Sequence, residues 1–337
     1  MNAIQSAVSN LKAGKPQFIR NLTVFPLMGS QAPSPGYVVL EQALSSGQVV
    51  ISEISSSGSV PTIKLTNRGS MPVLILDGEE LIGCKQNRIV NLTILAPAKE
   101  ELELPVSCVE MGRWNSVSTG FSASKQTLYA GLRARKVASV SDSMSSGRQA
   151  AADQGAIWDD ISAKFSRMGS SSASSAMSDM YENFRGDIEE YTKPIHASAG
   201  QIGAVFGING RCRGIELFDA EATCAHYLPK IAAGYAMDAL ESCPKTPSGA
   251  TVSPQPHDDP DEFLKRIAVM DCKSFPSIGL GQDLRLTGNR LAGAGLDFNG
   301  SLLHLCAFAL ENSEEQRPGR GSREQSVIRR TVRRFDD

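Results

Sequence analysis

The most chemically varied stretch of the sequence, DGEELIGCKQNR, runs from Asp77 to Arg88 between two apolar, strand-like runs. Its carboxylates would face basic side chains across a turn, and an arginine such as Arg88 can bind a polar ligand through two parallel hydrogen bonds. Paired charges also set the pKa values of neighbouring carboxylates. The alternative is a solvated hairpin whose acids and bases neutralise one another, which is common on protein surfaces. The candidates are Glu79 as a catalytic group, and Glu80, Lys85, Gln86, Asn87 and Arg88 as ligand-binding groups.

A second polar stretch, VSCVEMGRW, follows another strand-like run and ends at Trp114. Trp114 beside Arg113 can stack on a base or a nicotinamide ring, or it can plug a domain boundary. Glu110 is the second candidate catalytic carboxylate. Cys108 is better interpreted as a buried structural thiol, because no histidine lies near it in the sequence to act as a base. If these stretches lie on neighbouring strands of a sandwich, they would come together.

No metal or cofactor motif is recognisable. The four histidines lack the spacing of metal ligands; they are His196, His226, His257 and His304. A carboxylate-only Mg²⁺ site at Glu79, Glu80 and Glu110 stays open. The glycine-rich run before Arg211 is explained by a hairpin at Asn209-Gly210 rather than by a dinucleotide-binding loop. The sequence therefore predicts no metal site and leaves the cofactor unknown.

The first third of the chain must position these residues, and its pattern indicates strands. Short apolar or alternating runs are separated by Gly, Pro and Ser clusters, with no helical period between them. This pattern predicts an antiparallel β-sandwich or jelly-roll-like domain over residues 17–115. The predicted strands are Ile19–Pro26, Gly36–Leu40, Gln48–Ile54, Thr62–Asn67, Met71–Leu76, Ile89–Leu95 and Leu102–Val109.

The rest of the chain predicts an α+β arrangement. Apolar residues three and four apart indicate central helices over residues 116–195. Residues 196–310 mix a hairpin, a long helix at Ala220–Glu241 and a final meander, which predicts an antiparallel sheet with helices on one face. The last segment, 311–337, is predicted to be a charged, mobile tail. Its arginines suggest nucleic acid or an acidic partner as an alternative, which is less favoured than a solvated end.

Composition excludes several classes of protein. Lys plus Arg number 34 and Asp plus Glu number 36 among 337 residues, and this net charge of −2 excludes a polycation that coats nucleic acid. No apolar run approaches the roughly 18–20 residues that span a bilayer, so no membrane partner is expected. Seven scattered cysteines without a C-x-x-C pair predict reduced thiols in a cytoplasmic protein. Self-association stays open.

Several strings resemble one known family. They are LDGEELIGCKQNRIVN (Leu76–Asn91), PVSCVEMGRW (Pro105–Trp114), DQGAIWDDI (Asp153–Ile161), GAVFGINGRCRGIELFD (Gly203–Asp219) and GYAMDAL (Gly234–Leu240). Together they resemble the bacterial ARG and rhodanese-phosphatase-superfamily-associated domain family, where ARG stands for ADP-ribosylglycohydrolase. The resemblance covers about Gln17–Leu310 and implies a role in the metabolism of ADP-ribose and NAD-derived nucleotides. It supplies no established catalytic residues.

Two hypotheses follow for the charged stretches. In the first, the protein binds and processes a nucleotide related to ADP-ribose or NAD: Lys85, Arg88 and Arg113 hold phosphate, Trp114 stacks, and Glu79 or Glu110 acts as a base. In the second, the same residues form an internal salt-bridge network in a non-enzymatic structural or interaction module. An open cluster of converging side chains would favour the first, and full mutual pairing would favour the second.

Overall fold

The computed structural model describes residues 3–29, 36–55, 57–243 and 258–310. The predicted tail, 311–337, and most of the proline-rich loop after the long helix lie outside the described residues. The helices are α1 (Ala3–Ser9), α2 (Leu40–Ser45), α3 (Ala130–Ser145), α4 (Gln154–Arg167), α5 (Met177–Asn183), α6 (Arg185–Thr192), α7 (Glu221–Glu241) and α8 (Pro260–Ala268).

Eighteen strands lie within the same ranges. The first nine are β1 (Lys12–Ala13), β2 (Gln17–Ile19), β3 (Leu22–Met28), β4 (Val38–Val39), β5 (Val49–Ser52), β6 (Thr62–Asn67), β7 (Val73–Ile75), β8 (Glu79–Gly83) and β9 (Arg88–Val90). Nine follow: β10 (Ile94–Ala96), β11 (Glu101–Cys108), β12 (Phe121–Thr127), β13 (Gln201–Ile208), β14 (Arg211–Phe218), β15 (Asp271–Pro276), β16 (Gln282–Gly288), β17 (Leu291–Phe298) and β18 (Ser301–Ala309). The predicted α+β class is confirmed.

The largest sheet is antiparallel and joins the two ends of the chain. Its strand order is β1-β3-β13-β14-β18-β17-β16-β15, with β2 beside β3. β3 pairs along most of its length with β13, so the N-terminal strands complete the C-terminal sheet. The predicted hairpin is confirmed at Asn209 and Gly210, whose positive φ angles of 52° and 76° suit the tight turn between β13 and β14. The division of the chain into four segments, 17–115, 116–195, 196–310 and 311–337, stays a prediction.

Helices cover both faces of this sheet, which corrects the prediction of helices on one face. Successive strand residues point to opposite faces, so Phe206 packs in the core with α3 and α7, while Val205 packs with α1 and α8. This second helical layer consists of α1, which is only seven residues long, and α8. α8 begins at a well-formed cap, with Asp259 accepting from the Asp261 N–H and Pro260 in the first turn.

Two smaller sheets make up the region that contains both polar stretches. One has the order β12-β8-β9-β11-β6-β5, and its two outer strands contact each other, so the sheet curls. The other has the order β10-β7-β4, in which β4 and β7 run parallel. The sandwich or jelly roll is therefore not confirmed. Within the described ranges, no helix combines the length and the apolar character needed to cross a membrane.

Candidate functional site

The fold brings the two predicted polar stretches together. β9 pairs with β11 so that Arg88 lies opposite Cys108. Beyond the paired residues, the backbone N–H of Asn87 donates to Glu110 Oε2 at 3.0 Å, and Arg113 donates to Asn87 Oδ1 at 3.2 Å. The neighbouring strands therefore do join the two stretches, and the question is whether their side chains face a ligand or each other.

Glu110 and Arg113 face each other. Arg113 Nε donates to Glu110 Oε1 at 2.8 Å, and Arg113 Nη2 donates to Oε2 at 2.6 Å, a bidentate pair. Arg113 also donates to the Cys84 carbonyl at 2.6 Å. Burial would raise the pKa of Glu110, but the hydrogen bonds from Arg113 and from the Asn87 N–H outweigh it and lower the pKa. The predicted base is thus a paired carboxylate.

Arg88 is held inside the curled sheet. Its side chain is fully buried and donates to Gln86 Oε1 at 2.9 Å, to the Ser59 carbonyl at 3.3 Å and to the Cys108 sulfur. Burial raises the pKa of Cys108 to about 11, which keeps a neutral thiol there as predicted. The arginine lies 5.4 Å from the ring centroid of Trp114. These contacts leave Arg88 poorly placed to bind a phosphate.

Trp114 and Lys85 form the outer part of the predicted site. Trp114 is 44% exposed and the Lys85 ammonium lies 5.7 Å from its ring centroid. Gly58 lies against both, since a Cβ there would stand 2.8 Å from Lys85 Cδ and 3.3 Å from Trp114. Of the predicted ligand-binding residues, Trp114 is exposed and Lys85 is half-buried, and within the described ranges neither side chain has a recorded ion pair or hydrogen bond.

Glu79 lies apart from the other predicted residues. Its side chain is fully buried against α7, where Oε1 accepts from Lys230 at 3.3 Å and Oε2 accepts from Tyr227 at 3.4 Å and from the Leu76 N–H at 3.1 Å. Adjacent residues of a strand point to opposite faces, so Glu79 and Glu80 occupy different environments. The two predicted catalytic carboxylates, Glu79 and Glu110, therefore do not share one site.

Glu80 is the exception among the buried acids. It is fully buried on the opposite face, and neither carboxyl oxygen has a hydrogen-bond partner among the described atoms. It stands across from an irregularity in β12 between Ala123 and Thr127, where three residues face one. Burial raises the pKa of Glu80 to about 7; the nearby Ser124 hydroxyl opposes this rise, and the carboxylates of Glu110 and Asp179 add to it. The other buried acids each contact a basic side chain: Asp77, Glu79, Glu110, Glu216 and Asp283.

A buried ionic network in the interior escaped the sequence analysis. Arg133 of α3 contacts Asp77 at 3.0 Å and Glu216 of β14 at 2.5 Å, and Lys136 pairs with the second oxygen of Asp77. His304 of β18 completes it through Glu216 Oε2 at 2.9 Å. The members lie far apart in the sequence, so no spacing could have revealed them. The network joins the small sheets, α3 and the large sheet.

One group in this network has the composition of a metal site. The ligand atoms of Glu216, His304 and Cys306 all lie within 4.8 Å of one another. However, the Glu216 carboxylate already forms an ion pair with Arg133, and the second ring nitrogen of His304 contacts Thr93 Oγ1 at 2.9 Å. Burial raises the pKa of the Cys306 thiol, which opposes the thiolate that a metal requires. The arrangement fits an ion-paired interior better than a set of metal ligands.

A pocket of about 740 Å³ lies elsewhere, between the start of α3, the end of α4 and the end of α7. That volume falls in the range of roughly 300–1,000 Å³ that is typical of small-molecule sites. None of its residues was predicted from the sequence. The charged residues that line it are Arg135, Lys164, Arg167, Arg213, Asp238 and Glu241, and Tyr129 forms part of the wall.

Lys164 lies at the centre of this basic pocket. Its Nζ contacts Asp238 Oδ1 at 2.7 Å and Glu241, and it lies 4.4 Å from the ring centroid of Tyr129. Arg167 pairs with the other oxygen of Glu241. Burial would raise the pKa of Glu241, but Lys164 and Arg167 outweigh it and lower the pKa. The sequence holds one weak signal for the pocket, the two basic residues three apart in the last turn of α4.

Comparison with known proteins gives one result. A family model described as the ARG and Rhodanese-Phosphatase-superfamily-associated Protein domain matches residues 10–308, most of the chain. No curated protein and no solved structure matches the chain significantly.

Proposed function

The chain belongs to the family of ARG and Rhodanese-Phosphatase-superfamily-associated Protein domains, and from that premise we propose that it binds a nucleotide related to ADP-ribose or NAD. The family name associates the domain with ARG and rhodanese-phosphatase-superfamily proteins, and this association supports the ligand class without naming a ligand. The observation that carries the proposal is the basic pocket, where four basic side chains and an aromatic wall enclose a volume suited to a nucleotide.

The chemistry of the lining matches such a ligand. Guanidinium groups bind phosphate oxygens bidentately, and Lys164 adds a point charge deeper in the pocket. The carboxylate of Asp238 is an acceptor suited to a ribose hydroxyl of a bound ligand. The proposal concerns binding. Processing is not assigned, because Glu79 and Glu110 are both tied to basic partners.

For the two predicted polar stretches, we propose the internal-network role. Their mutual pairing supports it, as do their links to α5: Asn87 Nδ2 donates to Ser178 Oγ at 3.2 Å, and the Met177 N–H donates to the Val109 carbonyl at 2.9 Å. Such links fix the helix against the curled sheet. The exposed Trp114 and the half-buried Lys85 remain the part of these stretches that a ligand could contact.

A thermal-shift panel on the full chain tests the proposed ligand class. ADP-ribose, NAD and ADP should each raise the melting temperature, since a ligand that binds only the native state stabilises it. Adenosine, which lacks phosphate, should have little effect. Arg167→Gln should reduce the shifts, whereas Arg185→Gln, which changes an exposed arginine paired with Glu182, should keep them. If no phosphate-bearing nucleotide shifts the wild-type protein, the proposal is wrong.

A further inference from the structure

Three basic side chains of the pocket already form ion pairs with carboxylates. Lys164 contacts Asp238 and Glu241, Arg167 contacts Glu241, and Arg135 contacts Asp160. A phosphate that enters such a pocket meets carboxylates of its own sign beside the groups it needs. Binding of a phosphate therefore requires that one of these carboxylates move away from its basic partners.

Asp238 is held too firmly to move away from Lys164. One oxygen contacts Lys164 at 2.7 Å, and the other accepts from the Gly131 N–H at 2.7 Å, at the start of α3. The first N–H groups of a helix lack partners within the helix, so Asp238 satisfies a donor that would otherwise lack a partner there. Its removal would leave the Gly131 N–H without this acceptor, although Lys164 would still contact Glu241.

Glu241 differs in each of these respects. Its described partners are the two basic side chains of the pocket, Lys164 and Arg167, and it makes no described contact with a helix N-terminus. It is the last residue of α7, where the helix dipole disfavours a negative side chain. Its side chain is 21% exposed, whereas Lys164 is 1% exposed. Lys164 would keep Asp238 if Glu241 turned outward.

We propose that Glu241 occupies the position of a ligand phosphate, and that a phosphate-bearing ligand binds by displacing this carboxylate from Lys164 and Arg167. The inference rests on the proposed function and adds how the pocket selects its ligand. A singly charged carboxylate ligand gains little by replacing Glu241, since it offers the same charge. A phosphate dianion or a diphosphate brings more charge to the same cations, so the pocket selects for phosphorylated ligands.

The test is calorimetric titration of ADP-ribose and of inorganic pyrophosphate into wild-type protein and Glu241→Gln. Loss of the competing charge should tighten binding about tenfold. In an Arg167→Gln background the same change should have a smaller effect, because one of the two cations that Glu241 shields is gone. Glu182→Gln, at an exposed pair with Arg185, is the matched control and should bind as the wild type does.

The outcomes separate this inference from the proposed function. Binding by the wild type with equal or weaker binding by Glu241→Gln overturns the inference and leaves the proposed function standing. Absence of binding by both proteins overturns both. Binding by Glu241→Gln but not by the wild type supports both proposals, and it means that the Glu241 carboxylate competes with the ligand more strongly than expected. Circular dichroism melting of each variant confirms that the compared proteins are folded.

Discussion

At the scale of single residues, Glu80 shows what the sequence could and could not predict. Its position beside Glu79 in a charged stretch marked it as a candidate site residue. The pleat of β8 then turns the two side chains to opposite faces, where Glu79 meets Lys230 and Glu80 meets no cation from the described part of the chain. Alternation along a strand was predictable, but the strand itself was not recognised, because two acidic residues begin it.

The raised pKa of Glu80 predicts a pH-dependent stability. The folded-state pKa of about 7 lies above the ordinary value of 4.5, so the folded protein holds this proton more tightly than the unfolded chain does. The resulting stabilisation is complete below pH 4.5 and is lost as the pH rises through 7. Glu80→Gln, which cannot ionise, should therefore gain about 3 kcal/mol relative to the wild type between pH 4.5 and 8.

Urea denaturation of both proteins across this pH range measures that difference. Glu103→Gln, which changes an exposed glutamate of β11, provides the control and should show a nearly constant difference from the wild type. A constant difference for Glu80→Gln as well would show that Glu80 ionises normally in the folded protein.

At the scale of secondary-structure elements, the prediction succeeded where local patterns decide the structure. The alternation in Thr62–Asn67 and Glu101–Cys108 and the Asn209-Gly210 turn depend on neighbouring residues, and each gave a strand or hairpin as predicted. The strand Phe121–Thr127 was not predicted, because its sequence is mostly polar and contains few of the residues typical of strands. It forms a strand through its pairing with β8, and only tertiary structure supplies that partner.

The contact between the end of β11 and the β8–β9 turn predicts coupling between Glu110 and Arg113. Arg113→Gln leaves a buried carboxylate with fewer donors and should cost about 2 kcal/mol of unfolding free energy. Addition of Glu110→Gln should recover part of that loss, because the unpaired charge is then removed as well. A double-mutant cycle by chemical denaturation measures the coupling. Additive effects would contradict the network role of this pair.

At the scale of the whole molecule, the sequence offered no signal for the groups that join its parts. Arg133 of α3 connects Asp77, in the turn between β7 and β8, with Glu216 of β14. The basic pocket likewise combines residues from α3, α4 and α7 with the ends of three strands. Side chains this far apart in the chain meet only after folding. The dense local motifs instead marked residues that largely pair with one another.

Arg133 predicts a large effect on global stability. Arg133→Met would leave Asp77 with Lys136 and Glu216 with His304, both fully buried, and should cost about 3–5 kcal/mol. Lys64→Met, which removes an exposed pair with Glu101, should cost at most about 1 kcal/mol. Denaturant unfolding compares the two. Similar small losses would mean that the interior network contributes little to holding the sheets together.

The most direct test of the account is whether ADP-ribose binds in the basic pocket rather than at the predicted polar stretches. Calorimetric titration into the wild type, Arg167→Gln and Trp114→Ala separates the two places, since Arg167 lines the pocket and Trp114 lies at the exposed end of the stretches. The account predicts binding by the wild type, about tenfold weaker binding by Arg167→Gln and unchanged binding by Trp114→Ala. Absence of binding by the wild type, or a loss confined to Trp114→Ala, would contradict it.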